Sequence, residues 1–340
     1  TSLVQYDECQ DLEEDLRAMM MAEVDTHFSQ LERWDWSVDV LDDGGGPMAG
    51  GADREAGVDF SGTNVQEAGV DEADIVKTDG YRVFVLNGNR LHIFAVPEFG
   101  SLEPESVTEI EGSPRQLLWN REAARAVIFS SINPYQLPTD HRLFDVLTAD
   151  DESDSRWRSE TLSKITILDV GTSGPPSVVR ELFVEGQYQT ARMVDTSVRL
   201  GAYSWLEVPG VYDWWSDLEE EGLYVAKQLA RARIAARELS DLVPAIYELT
   251  SEGQLEIHAL TEDDCRSFYR PENSHGRGFT SVLSFDMADE LVEFDADHIV
   301  SNWPTFYASE DSLYIAEPAN DWWWFWWNED CLLYTSPSPR

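Results

Sequence analysis

DGYRVFVLNGNRLHIFAV, Asp79 to Val96, is the stretch from which the fold is read. Two runs that alternate apolar and polar residues flank Asn87-Gly88, and alternation at period two puts every second side chain on one face of a strand. Asn-Gly supplies two residues that tolerate positive φ, as a type I′ turn needs to match strand twist, and Asp79-Gly80 supplies the turn before it. The stretch is expected to form a β-hairpin.

Short apolar runs of the same kind recur at 125–129 (RAVIF), 164–170 (KITILDV), 177–184 (SVVRELFV), 254–260 (QLEIHAL), 280–287 (TSVLSFDM), 305–308 (TFYA) and 312–316 (SLYIA). Three segments are alike: LHIFAV from Leu91, ITILDV from Ile165 and VLSFDM from Val282. They read as equivalent strands of successive repeats, although their spacings of 74 and 117 residues exceed the roughly 40 to 50 of a compact propeller blade. Either insertions or an unrecognised blade account for the excess. The acidic run ADDESDS at 149–155 reads as a solvated loop, and the stretch from about 207 to 250 as an insertion centred on the helix LYVAKQLARARIAAREL. Lys227, Arg231, Arg233 and Arg237 on that helix mark either a contact with an anionic partner or, as its acidic start and cationic end favour, a helix lying on its own domain.

Upstream, Cys9, Leu12, Leu16, Met19 and Met20 recur at helical spacing within 7–24, so residues 1–41 read as a helical segment that packs on the strand-rich domain through its Leu/Met stripe. Residues 42–59 are glycine-rich and read as a linker. The chain opens at Thr1 without a basic-then-apolar leader, so the N-terminus reads as cut and a targeting segment as lost. CLLYTSPSPR, 331–340, has no periodicity and reads as sequencing-adaptor read-through, to be left out of the fold.

Of the 340 residues, 65 are acidic and 24 basic, giving a formal charge of −41. Such a surface repels nucleic acid, and 42% hydrophobic content is enough for a core. No apolar run reaches the roughly 18 to 20 residues of a membrane span. With the tail set aside, Cys9 and Cys265 remain; outside the cytosol they are able to form one disulfide, and otherwise they are two separate buried thiols. The histidines lack the close spacings of zinc ligands.

TNVQEAGVDEADIVKTDG, Thr63 to Gly80, followed by the hairpin, resembles the opening signature of a family of secreted bacterial and archaeal β-propeller proteins distantly related to WD-repeat proteins. Residues 188–204, which look like a blade's first two strands, and residues 265–287 and 305–317 echo the same family. The resemblance covers most of 60–318. It implies an extracytoplasmic setting and an all-β fold: an incomplete, truncated β-propeller over 60–330, with an N-terminal helix and one helical insertion. Four or five blades are expected, the last ones being missing, and a full-length chain is expected to be monomeric.

Two clusters carry candidate chemistry. Asp71, Glu72 and Asp74, if they converge on the propeller channel, supply the oxygen ligands Ca²⁺ prefers or a carboxylate pair for hydrolysis; otherwise they cap turns and accept backbone N–H bonds. Trp322, Trp323, Trp324, Trp326 and Trp327 either stack on a sugar or partner, or pack on a missing blade. No GxSxG elbow, phosphate loop, HExxH or dinucleotide fingerprint occurs. The expected function is a non-catalytic, extracytoplasmic binding or scaffold module for protein or surface glycan. A Ca²⁺-assisted hydrolase is the competing class, and calcium is the one cofactor in play.

Overall fold

The structure, a computed structural model, describes residues 2–31, 69–98, 100–148, 161–206, 208, 211, 220–250, 253–258, 264–272 and 276–317. The linker 42–59, the acidic loop 149–155, the tryptophan cluster 322–327 and the tail 331–340 lie outside them.

The hairpin forms as expected, with Arg82–Asn87 paired to Arg90–Ala95. Its turn sits one residue later than predicted: Asn87 pairs with Arg90, which leaves Gly88 and Asn89 as the loop. Only Gly88 takes a positive φ, +60°, which is the type II′ rather than the I′ pattern. Val76–Thr78 and Glu103–Glu109 flank the hairpin and complete a four-stranded antiparallel blade 1.

Blade 2 is built from Ser113–Asn120, Arg125–Ile132, Leu162–Asp169 and Ser177–Glu185, and blade 3 from Gln187–Val194, Ser197–Trp205, Gly278–Asp286 and Phe294–Ser301. Thr305–Ala308 and Leu313–Ala316 are the first two strands of blade 4. The three look-alike segments are the third strands of blades 1, 2 and 3. Their uneven spacing comes from two excursions between second and third strands: setting aside residues 133–161 (29) and 206–277 (72) brings the 74 and the 117 both down to 45. Insertions, and not an unrecognised blade, explain the excess.

Burial explains the two kinds of apolar pattern. Blade 2 is covered on both sides, so its strands read as continuous apolar runs. Ala126, Ile128 and Leu168 meet Phe84, Leu91 and Ile93 of blade 1, and Phe84 stacks on Trp119 with ring centroids 4.4 Å apart. Val127, Phe129, Ile165 and Ile167 turn the other way, onto Ala191, Val198, Leu200 and Leu283 of blade 3. Blade 1 has only one covered face, and its hairpin alternates accordingly: Phe84, Leu91 and Ile93 are buried while Val83, Val85, His92 and Phe94 are half-buried. Among the described residues the blades do not close into a ring.

The second excursion runs to 277, further than the 207–250 read from the sequence. It holds helices at Glu220–Ala235 and Leu239–Leu242, and a hairpin, Ile246–Leu249 with Leu255–His258. That hairpin adds two strands to the outer edge of blade 2, so Leu255–His258, within the run read at 254–260, is an edge strand and not a propeller repeat. Phe268–Pro271 then lies parallel to the outer strand of blade 3 and is covered by Leu3–Gln5.

The N-terminal helix, Cys9–Leu31, buries Leu12, Leu16, Met20, Val24 and Phe28, an unbroken i, i+4 stripe, against Ala226, Ala230 and Ile234 of the inserted helix and Phe268, Phe279 and Val300 of blade 3. The cations of the inserted helix are used here. Lys227 and Arg231 pair with Asp25 at 3.1 and 2.8 Å. The helix therefore lies on its own domain, and its charge is met by the N-terminal helix.

Candidate functional site

The segment Val70–Ile75 enters the middle of the array and joins three blades. Asp71–Glu72 pair with Arg192–Met193 on the inner strand of blade 3, Ala73 N–H donates to the Ala191 carbonyl at 3.3 Å, and Asp74 exchanges backbone bonds with Leu117 on the inner strand of blade 2 at 3.1 and 2.7 Å. Val70 and Ala73 are the buried residues, and the chain continues directly into blade 1. The segment is a strap across the centre.

Its carboxylates, the residues singled out for calcium or hydrolysis, point to three different partners. Asp71 accepts from Lys77 Nζ at 2.6 Å, and the same ammonium, 4% exposed, also donates to the Glu72 carbonyl. Glu72 faces Arg192 at 3.4 Å. Asp74 accepts from the Ile75 N–H at 2.7 Å. Asp79 caps the entry to the hairpin, taking the N–H groups of Tyr81 and Arg82 at 2.9 and 2.8 Å. Among the described residues no group of three or more His, Cys, Asp or Glu side chains is placed to hold a metal ion.

Two concavities flank the segment 240–244 on the crossover side of blades 2 and 3. The larger, a groove of about 850 Å³, runs between the outer hairpin of blade 2 and the outer strand of blade 3. At its base Glu248 holds Arg180 in a two-point pair, 2.7 Å at each contact, and takes His258 Nε2 at 3.1 Å. Burial alone would raise the Glu248 pKa, but Arg180 and His258 together outweigh it and the carboxyl pKa is lowered. Arg180 also donates to the Val292 carbonyl at 2.6 Å, tying blade 2 to blade 3. The rim is acidic and apolar: Glu293 and Asp295 are exposed, with Phe294 between them and Ile257 opposite.

Deeper in the groove, His298 Nδ1 and Ser281 Oγ are 2.8 Å apart. Ser281 is fully buried, and Phe268 stacks on the imidazole at 4.6 Å. Desolvation pushes the His298 pKa down to about 4. The pair is a cross-strand contact between neighbouring strands of blade 3, with His298 at the groove lining and Ser281 behind it.

The smaller concavity, about 110 Å³, lies where the chain crosses from blade 2 to blade 3 and from blade 3 to blade 4. Tyr203, Trp205 and Trp303 form its aromatic wall, and Ser204, Gln187 and Asp241 are among its polar lining residues. Sequence reading missed both indoles. Each closes a strand end, Trp205 after the alternating run of blade 3 and Trp303 beside Pro304, and that position at a blade crossing was the signal available. The cluster expected to bind, Trp322, Trp323, Trp324, Trp326 and Trp327, is outside the described residues.

Cys9 and Cys265 are joined, with Cα atoms 5.3 Å apart and a sequence separation of 256. The bond ties the start of the N-terminal helix to the excursion, just before its strand Phe268–Pro271 joins the outer edge of blade 3.

Among the described residues no helix is long and apolar enough to cross a membrane. No curated protein and no solved structure matches the chain. The family model described as the Beta propeller domain matches residues 60–335, the region in which successive four-stranded sheets bury one another's faces. The chain belongs to that beta-propeller family.

Proposed function

We propose that the protein is an extracytoplasmic binding or scaffold module for a protein or a surface glycan, performs no catalysis of its own, and makes contact through the crossover side of blades 2 and 3. The observation that carries this reading is the division of labour among charges. Carboxylates between the strands are held by cations, Asp71 by Lys77, Glu248 by Arg180, Glu111 and Glu181 by Lys164, and the buried Glu185 accepts from the Ala245 N–H and the Tyr247 hydroxyl, while the groove exposes Glu293, Asp295 and Ile257 to a ligand. Concave, partly apolar surfaces with a few polar groups are where ligands bind. The Cys9–Cys265 bond fits an oxidising compartment.

A calcium-assisted hydrolase would require Asp71 to exchange a buried lysine for a metal ion. The test sets the whole chain against a panel of esters, glycosides and peptides, and against arrayed glycans and purified surface proteins. Binding without turnover, weakened tenfold or more by Asp295→Lys or Ile257→Glu, supports the proposal. Turnover abolished by Asp71→Asn plus Asp74→Asn would replace it with the hydrolase.

A further inference from the structure

We infer that the small concavity at the blade 3 crossings is a subsite for one ring of a neutral glycan, with Trp205 and Trp303 as its platform. This rests on the reading of the domain as a binding module and names the ligand class for one part of its contact face.

Two observations meet there. The first is the exposure of the two indoles, 49% for Trp205 and 38% for Trp303, with ring centroids 6.3 Å apart and planes inclined by 32°. Large exposed aromatics beside one another at a concavity are unusual on a surface as acidic as this one, since they leave apolar area in water.

The second is that both rings are held in place. Tyr203, 1% exposed, meets Trp205 edge-on at 5.1 Å and Trp303 at 5.2 Å. A platform fixed before the ligand arrives loses little side-chain entropy on binding. Ser204, between Tyr203 and Trp205 in the strand, turns to the opposite face and its oxygen is enclosed, so it is the control position beside the platform.

A pyranose ring matches this set. Its C–H face is apolar and stacks on an indole, and its rim carries hydroxyls that both donate and accept. Gln187 and Asp241 line the same concavity and supply an amide and a carboxylate near that rim. Charge selects within the class: a chain of net −41 repels uronate- or sulfate-bearing polysaccharides, so a neutral sugar is favoured. The remainder of an oligosaccharide would extend past 240–244 toward the larger groove, whose lining shares Val243 and Pro244.

The experiment is isothermal titration of the full chain with malto-, cello-, laminari- and manno-hexaose, with polygalacturonate as the anionic control, repeated on Trp205→Ala, Trp303→Ala and Ser204→Ala. Circular dichroism and the melting temperature report whether each variant folds. At least one neutral hexaose is expected to bind, with affinity falling tenfold or more in each tryptophan variant and unchanged in Ser204→Ala. Trp205→Phe and Trp303→Phe, which keep an aromatic face, are expected to retain most of it. The inference is overturned if no neutral hexaose binds, if polygalacturonate binds as well, or if binding is unchanged in folded Trp205→Ala/Trp303→Ala. A protein or glycan ligand that binds the wild type and this double variant equally leaves the module intact and removes only this subsite.

Discussion

Replacing Lys77 by Met deletes one buried ammonium while keeping the volume of its stem. In the structure that ammonium is 4% exposed and holds both the Asp71 carboxylate at 2.6 Å and the Glu72 carbonyl. Breaking a fully buried ion pair costs about 3 to 5 kcal/mol, because the surviving charge is left without a partner. Asp71 is 31% exposed, so water recovers part of that, and about 2 kcal/mol is expected for Lys77→Met. In a protein of this size that corresponds to a fall in Tm of roughly 3 °C.

Asp71→Asn keeps the strand pairing with Met193 and removes only the charge, so a double-mutant cycle isolates the pair. A coupling of about 1 to 2 kcal/mol is expected from urea unfolding monitored by intrinsic fluorescence. Additive single effects would refute the strap reasoning. So would a calcium-dependent rise in Tm of the wild type that Asp71→Asn abolishes, since the carboxylate would then serve a metal ion.

The packing leads to three further outcomes. Non-reducing peptide mapping should recover the Cys9–Cys265 peptide, and reduction should destabilise the chain by up to roughly 5 kcal/mol for a loop of 256 residues in the chain-entropy treatment; free thiols at both positions would contradict it. His298 is held neutral down to about 4 from its ordinary 6.5, so between those values the unfolded chain takes up a proton the folded one refuses. Stability should fall by about 3 kcal/mol as pH drops through that window, and His298→Gln should flatten the slope there; an unchanged slope would contradict the burial of the ring. Gly201→Ala would place a methyl 2.5 Å from the Phe306 ring of blade 4, so a loss of about 1 to 2 kcal/mol and faster proteolysis at 305–316 are expected, and wild-type resistance would show that blade 4 does not pack there.

The parts legible in the sequence are those where period and burial coincide. The hairpin at 82–95 announced itself because one face of blade 1 is covered and the other is not, and RAVIF and ITILDV read as apolar runs because blade 2 is covered twice. The equivalence of the third strands was visible for the same reason, each occupying the same place between neighbouring strands. The strap was not legible. Nothing in VDEAD states that Ala73 will meet Ala191, more than a hundred residues away, and the carboxylates look alike in sequence although one binds Lys77, one faces Arg192 and one caps a turn.

Sequence also concealed the return of the long excursion to the edge of blade 2, because Ile246–Leu249 and Leu255–His258 carry the same alternation as a repeat strand. The candidate glycan platform is built from single residues at separate blade crossings, which leave no local motif. Only three of the 24 basic residues are lysines. Lys77, Lys164 and Lys227 are each committed to ion pairs that join separate segments.

The radial arrangement is tested most directly by a cross-link that only such an array permits. Ala73 and Ala191 are buried together and lie opposite one another in the antiparallel pairing of Glu72 with Arg192, within the Cα separation a disulfide requires. The variant Ala73→Cys/Ala191→Cys, oxidised while folded and mapped by mass spectrometry, should yield the linked pair in high proportion. Two unlinked thiols at 73 and 191 in the folded protein would contradict the placement of the strap between blades 2 and 3, and with it the propeller geometry.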